Sequence, residues 1–323
     1  MKVGVIGTGV MGKNHVRIYS EMPGVRLVGI ADVDEKTGRS MARKYGCRYF
    51  RDHIELMEKA KPDAVSVCVP TSLHYRVAKD LINGGVSVLV EKPITKDVRD
   101  AEELVRLAKK AGVRLAVGHI ERFNPAVQHL KRMIDRGSLG QITSILARRV
   151  GLFPPRIKDA NVIIDIAVHD IDVFNYLLGK TPTSISASAG KALINDREDY
   201  ADIFLKYNGT NGIIEVNWIT PVKIRVLNVT GTKGYAELNY ITQDLTLYES
   251  IYTKTYDEFG DFVVKFGEPK KRHVKIRKQE PLKLELADFI RAVRSGGQPL
   301  VTGEDGLAVL KIATEIIRSS VSR

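Results

Sequence analysis

The sequence predicts two domains: a doubly wound α/β domain with a parallel sheet over residues 1–120, and an α+β domain with a large, mostly antiparallel open sheet over residues 121–323. Three observations carry this expectation. Short runs rich in Val, Ile and Ala alternate with longer amphipathic segments as far as about Gly118; a glycine-rich turn joins the first run to a helix-like segment; and beyond Gly118 the pattern changes to two-residue alternation broken by turn signals. Strands apolar on both faces and separated by helices belong to a parallel sheet covered on both sides. Alternation with tight turns belongs to antiparallel strands.

The apolar runs of the first domain are Val3 to Ile6, Leu27 to Ala31, Ala64 to Val69, Val86 to Val90 and Arg114 to Val117, and Asp97 to Ala111 is a typical intervening helix. The second domain begins with a helix over Pro125 to Arg136 and a strand over Gln141 to Val150. A loop holding Pro154 and Pro155 and a helix from about Ile166 to Leu178 follow. Alternating segments then run from about Ser184 to Lys278, with turn signals at Asn208-Gly209, Asn211-Gly212 and Gly231 to Gly234. Two helices, Leu282 to Arg294 and Gly303 to Ser319, close the chain.

Composition narrows the function classes. A chain of 323 residues with 44% hydrophobic and 27% charged residues is that of a soluble globular protein, and disorder as the main state is excluded. Fifty Lys plus Arg against 38 Asp plus Glu leave a net charge of +12, which admits an anionic ligand without selecting one. The two cysteines, Cys47 and Cys68, provide neither a disulfide framework nor a zinc ribbon. No apolar stretch approaches the length of a membrane span and no secretory signal is recognisable, so a cytoplasmic protein is expected.

Gly7-Thr8-Gly9-Val10-Met11-Gly12 matches G-x-G-x-x-G, follows the first strand directly and runs into a helix over Met11 to Glu21. This is the dinucleotide-binding context of a Rossmann domain: Gly7 permits the turn, Gly9 admits the pyrophosphate, and Gly12 lets helix and strand pack closely. Asp32 ends the second strand, twenty residues past Gly12, and no Lys or Arg follows before Lys36. A carboxylate there accepts hydrogen bonds from both ribose hydroxyls and repels a 2′-phosphate, so NAD is favoured over NADP.

Two further strands end in polar segments where open α/β sheets place ligands: Val69-Pro70-Thr71-Ser72-Leu73-His74 and Val90-Glu91-Lys92-Pro93. Lys92 reads as a functional amine or as an exposed loop lysine. His74 reads as a contact to the nicotinamide ribose or as a capping or packed residue. In the second domain, Asp165 and His169 stand four apart on a predicted helix, where the carboxylate can orient the imidazole as a general base; the alternative is an N-terminal cap and a packed histidine. Asp170 and Asp172 read as surface or helix-turn acids, and no metal site is expected. Trp218 reads as core or interface.

Taken together, the Gly7 to Gly12 fingerprint, Asp32, Thr71 with His74, Glu91-Lys92-Pro93, and Asp165 with His169 resemble the glucose-fructose oxidoreductase, inositol dehydrogenase and MocA (Gfo/Idh/MocA) family over essentially the whole chain. The resemblance implies an NAD-dependent dehydrogenase acting on a CH–OH group. In it Lys92 holds the reacting hydroxyl and the nicotinamide region, His169 takes the hydroxyl proton and Asp165 orients His169. It implies a cis bond before Pro93, and a homodimer or homotetramer formed through the C-terminal sheet. The cofactor set it implies is Gly7, Thr8, Gly9, Val10, Met11, Gly12, Asp32, Pro70, Thr71, His74, Glu91 and Lys92. Within the family, the segments Gly118 to Pro125 and Gly151 to Arg156 are similar to the branch that oxidises the 3-hydroxyl of UDP-N-acetylglucosamine. On that likeness Arg122, Asn124, Arg156 and Lys158 join Lys92, Asp165 and His169 in the substrate set, with Lys223 and Arg225 as further cations for a pyrophosphate. An unphosphorylated sugar or an inositol-like polyol is the alternative substrate, and a member that recycles NAD in place carries the same residues.

A reading from another class is an NAD-sensing regulator that binds nucleic acid. Its support is the run Lys270 to Lys278, in which six of nine positions are Lys or Arg. His273, Lys275 and Arg277 alternate there with Val274 and Ile276, the pattern of one solvated strand face, and no helix-turn-helix is present. Neither nucleic acid nor membrane is an expected partner.

Overall fold

The computed structural model describes residues 1–153, 160–256 and 262–321. The chain forms two compact units, Met1–Phe123 with Glu280–Lys311, and Asn124–Gln279 with Ile312–Arg323. It therefore returns to its first unit near its end, which differs from the single crossing expected near residue 120. Packing accounts for the return: Leu282, Leu286, Phe289 and Ile290 of the helix that begins at Pro281 are buried in one core cluster with Val5, Val16, Ile18 and Tyr19.

The first unit is a six-stranded parallel sheet in the order β3-β2-β1-β4-β5-β6. Its chain course is β1 (Lys2–Ile6), α1 (Val10–Glu21), β2 (Arg26–Ala31), α2 (Glu35–Lys44), β3 (Arg48–Phe50) and α3 (His53–Ala60). It continues through β4 (Ala64–Val67), α4 (Thr71–Asn83), β5 (Ser87–Glu91), α5 (Val98–Ala111) and β6 (Leu115–Gly118). Every residue of β4, β5 and β6 is buried, as strands with helices on both faces must be. Local chemistry sets the helix ends: Asp34 and Asp52 cap α2 and α3 by accepting from the N–H groups of Thr37 and Glu55, and Gly112 ends α5 in the left-handed conformation.

The second unit holds α6 (Pro125–Asp135), β7 (Ile142–Leu152), α7 (Val168–Leu178), β8 (Ser184–Gly190), β9 (Tyr200–Tyr207) and β10 (Thr210–Asn217). Next come β11 (Ile219–Gly231), β12 (Gly234–Asn239), β13 (Asp244–Glu249), the hairpin β14 (Tyr252–Tyr256) and β15 (Phe262–Phe266), and β16 (Lys270–His273). Eight of these strands form one sheet in the order β16-β13-β12-β11-β7-β10-β9-β8, antiparallel except where β10 runs parallel to β7. Burial alternates strictly along β9, and Gly212 in β10 leaves room for Phe174 of α7, since a Cβ there would lie 3.0 Å from that ring. The other sheet face carries Phe204 opposite Ile213, at 41% and 39% exposure. Trp218 is buried with Phe153 edge-on at 5.1 Å, a core position. β16 is an exposed edge strand, so the basic run starts as a solvated edge. The remaining helices are α8 (Pro281–Ser295) and α9 (Gly303–Val321). Among the described residues no helix is long and apolar enough to cross a membrane.

Candidate active site

The cofactor half is made of strand ends in the first unit. Gly7 leaves β1 with φ +85°, and a Cβ there would lie 2.5 Å from the Cys68 carbonyl oxygen, so both dihedral and space demand glycine. A Cβ on Gly12 would lie 1.9 Å from the carbonyl oxygen of Gly7, the close approach expected of the third fingerprint glycine. At Gly9 the same atom meets nothing within 4 Å, so that glycine holds space open rather than allowing packing. Gly9 is also the N-cap of α1, which has no side-chain cap and no acid in its first turn. Its first N–H groups are therefore available to a pyrophosphate.

Asp32, at the end of β2, accepts from the N–H and hydroxyl of Thr8 at 2.6 and 2.5 Å and from the N–H of Asp34 at 2.8 Å. Thr8 is 1% exposed. Its side chain holds the acid in place. Gly7, Thr8, Gly9, Asp32 and Pro70 line one cavity of about 600 Å³, a size suited to a cofactor-scale ligand. Val10, Met11, Gly12, Thr71, His74, Glu91 and Lys92 are not among its described lining residues. The lining instead includes Arg51, His53, Leu73 and Arg76, which the motifs do not single out. Arg51 and His53 follow β3, a strand of only three residues that leaves no apolar run in the sequence.

Lys92 follows β5, is half-buried, and is joined to Pro93 by a cis peptide bond. Both neighbours of Lys92 are held by histidines. Glu91, 9% exposed, is 3.0 Å from Nε2 of the fully buried His15. Burial is the largest influence on the Glu91 carboxyl and favours its protonated form, but the His15 hydrogen bond and the charges of His15, Lys92 and His74 outweigh it and hold the group below the usual glutamate range. His74, 1% exposed, has Nδ1 2.8 Å from the Pro93 carbonyl oxygen and Nε2 2.9 Å from that of Val69. Both ring nitrogens face backbone carbonyls, which corrects the expected ribose contact. His15, Cys68 and Glu91 have ligand atoms within 4.8 Å of one another. Burial and then the charges of Glu91 and Glu285 push the Cys68 thiol well above its usual range, so it rests as a neutral thiol.

In the second unit, a π-helical turn over Ile163–Ala167 runs directly into α7. The N–H of Val168 reaches back to the Ile163 carbonyl, so Asp165 lies in the widened turn and His169 at the start of α7, both half-buried. Such turns recur at functional sites. The helix expected from about Ile166 thus begins earlier and in a different form.

Asp170 and Asp172 are fully buried, which corrects their reading as surface acids. The guanidinium of Arg149 in β7 grips Asp170 through two bonds of 2.7 and 3.0 Å and stacks over the Tyr240 ring at 4.5 Å. Asn124 is also buried; its side chain caps α6 through the Ala126 N–H and donates to the Tyr240 carbonyl, a structural task rather than a display to substrate. Arg225 donates to the Val150 carbonyl. Arg122, in the first unit, is 4% exposed and lies 3.1 Å from Asp305 and 3.2 Å from the Leu300 carbonyl. Of the cations assigned to a pyrophosphate, Arg122 and Arg225 are thus engaged internally, Lys223 is exposed, and Arg156 and Lys158 lie outside the described residues.

A glycine cradle at a helix N-terminus, an acid at the second strand end and a lysine at the fifth define an NAD-binding oxidoreductase. Comparison with known proteins agrees. Residues 1–119 match the model of an oxidoreductase family with an NAD-binding Rossmann fold, and residues 127–237 match the GFO/IDH/MocA C-terminal domain. The chain is 30% identical to a UDP-N-acetylglucosamine 3-dehydrogenase of Acidithiobacillus ferrooxidans, covering 98% of this chain and 96% of that one. It is 28% identical to a scyllo-inositol 2-dehydrogenase (NAD(+)) of Bacillus subtilis, covering 97% and 92%. A solved structure of the Acidithiobacillus ferrooxidans enzyme superposes with a TM-score of 0.87 at 28% identity, over 99% of this chain and 97% of that one. The protein belongs to the GFO/IDH/MocA oxidoreductase family.

Proposed function

We propose that this protein oxidises a ring hydroxyl of a sugar or polyol to a ketone, and that its substrate is a UDP-amino sugar such as UDP-N-acetylglucosamine, oxidised at C3. The observation that carries the reaction is Lys92, half-buried directly after β5 at the carboxyl edge of the parallel sheet. Bound NAD supplies the hydride acceptor. The Lys92 ammonium donates to the substrate hydroxyl oxygen and holds it. His169, neutral at the outset, takes the hydroxyl proton while the carbinol carbon gives up its hydride, so the sum is an alcohol and NAD⁺ going to a ketone, NADH and one proton. Asp165 keeps His169 oriented and stabilises the imidazolium. The work of the chain is positioning and charge compensation.

The choice of a nucleotide sugar is supported by the Gly118 to Pro125 and Gly151 to Arg156 segments and by the 30% identical relative. One observation favours the second reading, an unphosphorylated polyol: Arg122 and Arg225 are engaged within their own units, which leaves fewer cations for a pyrophosphate. We further propose a homodimer or homotetramer assembled through the open sheet face that bears Phe204 and Ile213. The function is tested by mixing the protein with NAD and UDP-N-acetylglucosamine, with a carbonyl trap to draw the uphill oxidation forward, and following NADH by its near-ultraviolet absorbance. NADH formed with this sugar and not with free N-acetylglucosamine or inositol is the expected result. A signal only with the uronate or with a polyol overturns the substrate and keeps the reaction, and no NADH with any of them overturns both.

A further inference from the structure

The segment Glu91-Lys92-Pro93 is held from two sides by buried histidines that come from different helices. His15, on α1 and fully buried, meets the Glu91 carboxylate at 3.0 Å. Space for that carboxylate is kept by Gly118, the β6 partner of Glu91 in the sheet, where a Cβ would stand 3.0 Å from Oε2. His74, on α4, meets the Pro93 carbonyl at 2.8 Å through Nδ1 and the Val69 carbonyl at 2.9 Å through Nε2. One residue therefore lies between the two anchors, and it is Lys92.

We propose that His15 and His74 are positioning residues for Lys92, a two-histidine clamp that fixes the ammonium by gripping the carboxylate before it and the carbonyl after it. The proposal rests on the role given to Lys92 above.

The chemistry of the two grips differs. At His74 both acceptors are carbonyl oxygens, which cannot donate; a neutral imidazole donates to one and turns a lone pair on the other, whereas the imidazolium donates to both. The grip the clamp needs is donation from Nδ1 to the Pro93 carbonyl, which the Nδ1–H tautomer and the imidazolium both provide. Glu91, near enough to feel the charges of His74 and Lys92 as well as that of His15, is the compensating anion. At His15 a single N–H on Nε2 satisfies the carboxylate, and the ring lies edge-on to Tyr19 at 6.4 Å. A clamp of this kind adds no atom to the reaction. It restricts where the lysine stem starts, and misplacing a reacting group by about 1 Å can cost about 10²-fold in rate.

The test compares His15→Ala, His74→Ala, His15→Gln and His74→Gln in the full chain. The glutamines keep a donor toward the carboxylate and toward one carbonyl, and they preserve a folded protein if the alanines fail to fold. With a substrate that the wild type oxidises, kcat is expected to fall by about 10²-fold in the alanine variants, with the NAD dissociation constant within about twofold of wild type and partial recovery in the glutamines. A merely structural role moves melting temperature and NAD affinity together with kcat and gives no such split. Two readouts need no substrate. In a 15N-histidine spectrum of the wild type, Nδ1 of His74 carries a proton at neutral pH. Pulsed amine acetylation read by mass spectrometry reports a faster reaction at Lys92 in the variants, with exposed Lys96 as internal reference. Unchanged kcat and unchanged Lys92 labelling, or a bare Nδ1 on His74, overturns the clamp. A wild type inert toward every sugar overturns the proposed function instead, and the clamp then stands or falls on the spectrum and the labelling.

Discussion

The turn at Gly7 to Gly12 and the helical run at Asp165 to His169 are both proposed to serve one reaction, yet they are built from different materials. The first is a backbone site. Its N–H groups, dihedrals and empty space do the work, and side chains such as Thr8 only hold the frame. The second is a side-chain site on a helix whose neighbouring acid, Asp170, is locked to Arg149 in β7. Backbone sites are specified over a few consecutive residues. Side-chain sites depend on partners that the fold brings from elsewhere, so the two regions respond to different kinds of damage.

The largest effects expected from this contrast are kinetic. Lys92→Ala and His169→Ala each lower kcat by about 10²–10⁴-fold while NAD binding, followed by fluorescence titration, survives. Turnover near wild type in both removes them from the reaction. Next comes Asp170→Asn, which strands a buried guanidinium and costs about 3–5 kcal/mol of stability by urea denaturation. Replacing Arg149 and Asp170 together by apolar residues costs less than their separate losses combined. The glycine pair separates space from packing. Gly9→Ala leaves the melting temperature in place and weakens NAD, whereas Gly12→Ala, with its Cβ 1.9 Å from a backbone oxygen, lowers the melting temperature first. If Gly9→Ala leaves NAD affinity unchanged, the open space at that residue is not where the pyrophosphate passes.

The smallest effect is on the pH profile of stability. The folded-state pKa of Glu91 is depressed below the unfolded value of about 4.3, so its contribution is present above that value and is lost as pH falls through the folded pKa. Glu91→Gln flattens that acid limb in denaturant melts. A limb of unchanged slope breaks the assignment.

The same contrast explains what is legible in the sequence. Gly7, Gly9, Gly12 and Asp32 can be read because each requirement is local: a dihedral, a close approach, a strand end. The strict alternation along β9 can be read for the same reason. The burial of Asp170 cannot, because its partner Arg149 is 21 residues away and nothing in the spacing names it. Nor can the engagement of Arg122, whose acceptor carbonyl at Leu300 is 178 residues distant. Arg51 and His53 stay hidden because β3 is too short to leave a periodic trace, and His74 offers a helix start without showing that two carbonyls enclose its ring.

The return of residues 280–311 to the first unit also has a bearing on the order of events during synthesis. The strands and glycines of the nucleotide fold leave the ribosome ahead of the second unit's sheet, but the apolar face of α8 and the side chains of Val301 and Leu310, which complete the two core clusters, follow that sheet. Until then the nascent sheet stands with part of its hydrophobic surface uncovered while the other unit is being made. A truncated chain ending at Phe123 should therefore be retained by chaperones and expose dye-binding surface, and supplying residues 280–311 as a separate peptide should cover it.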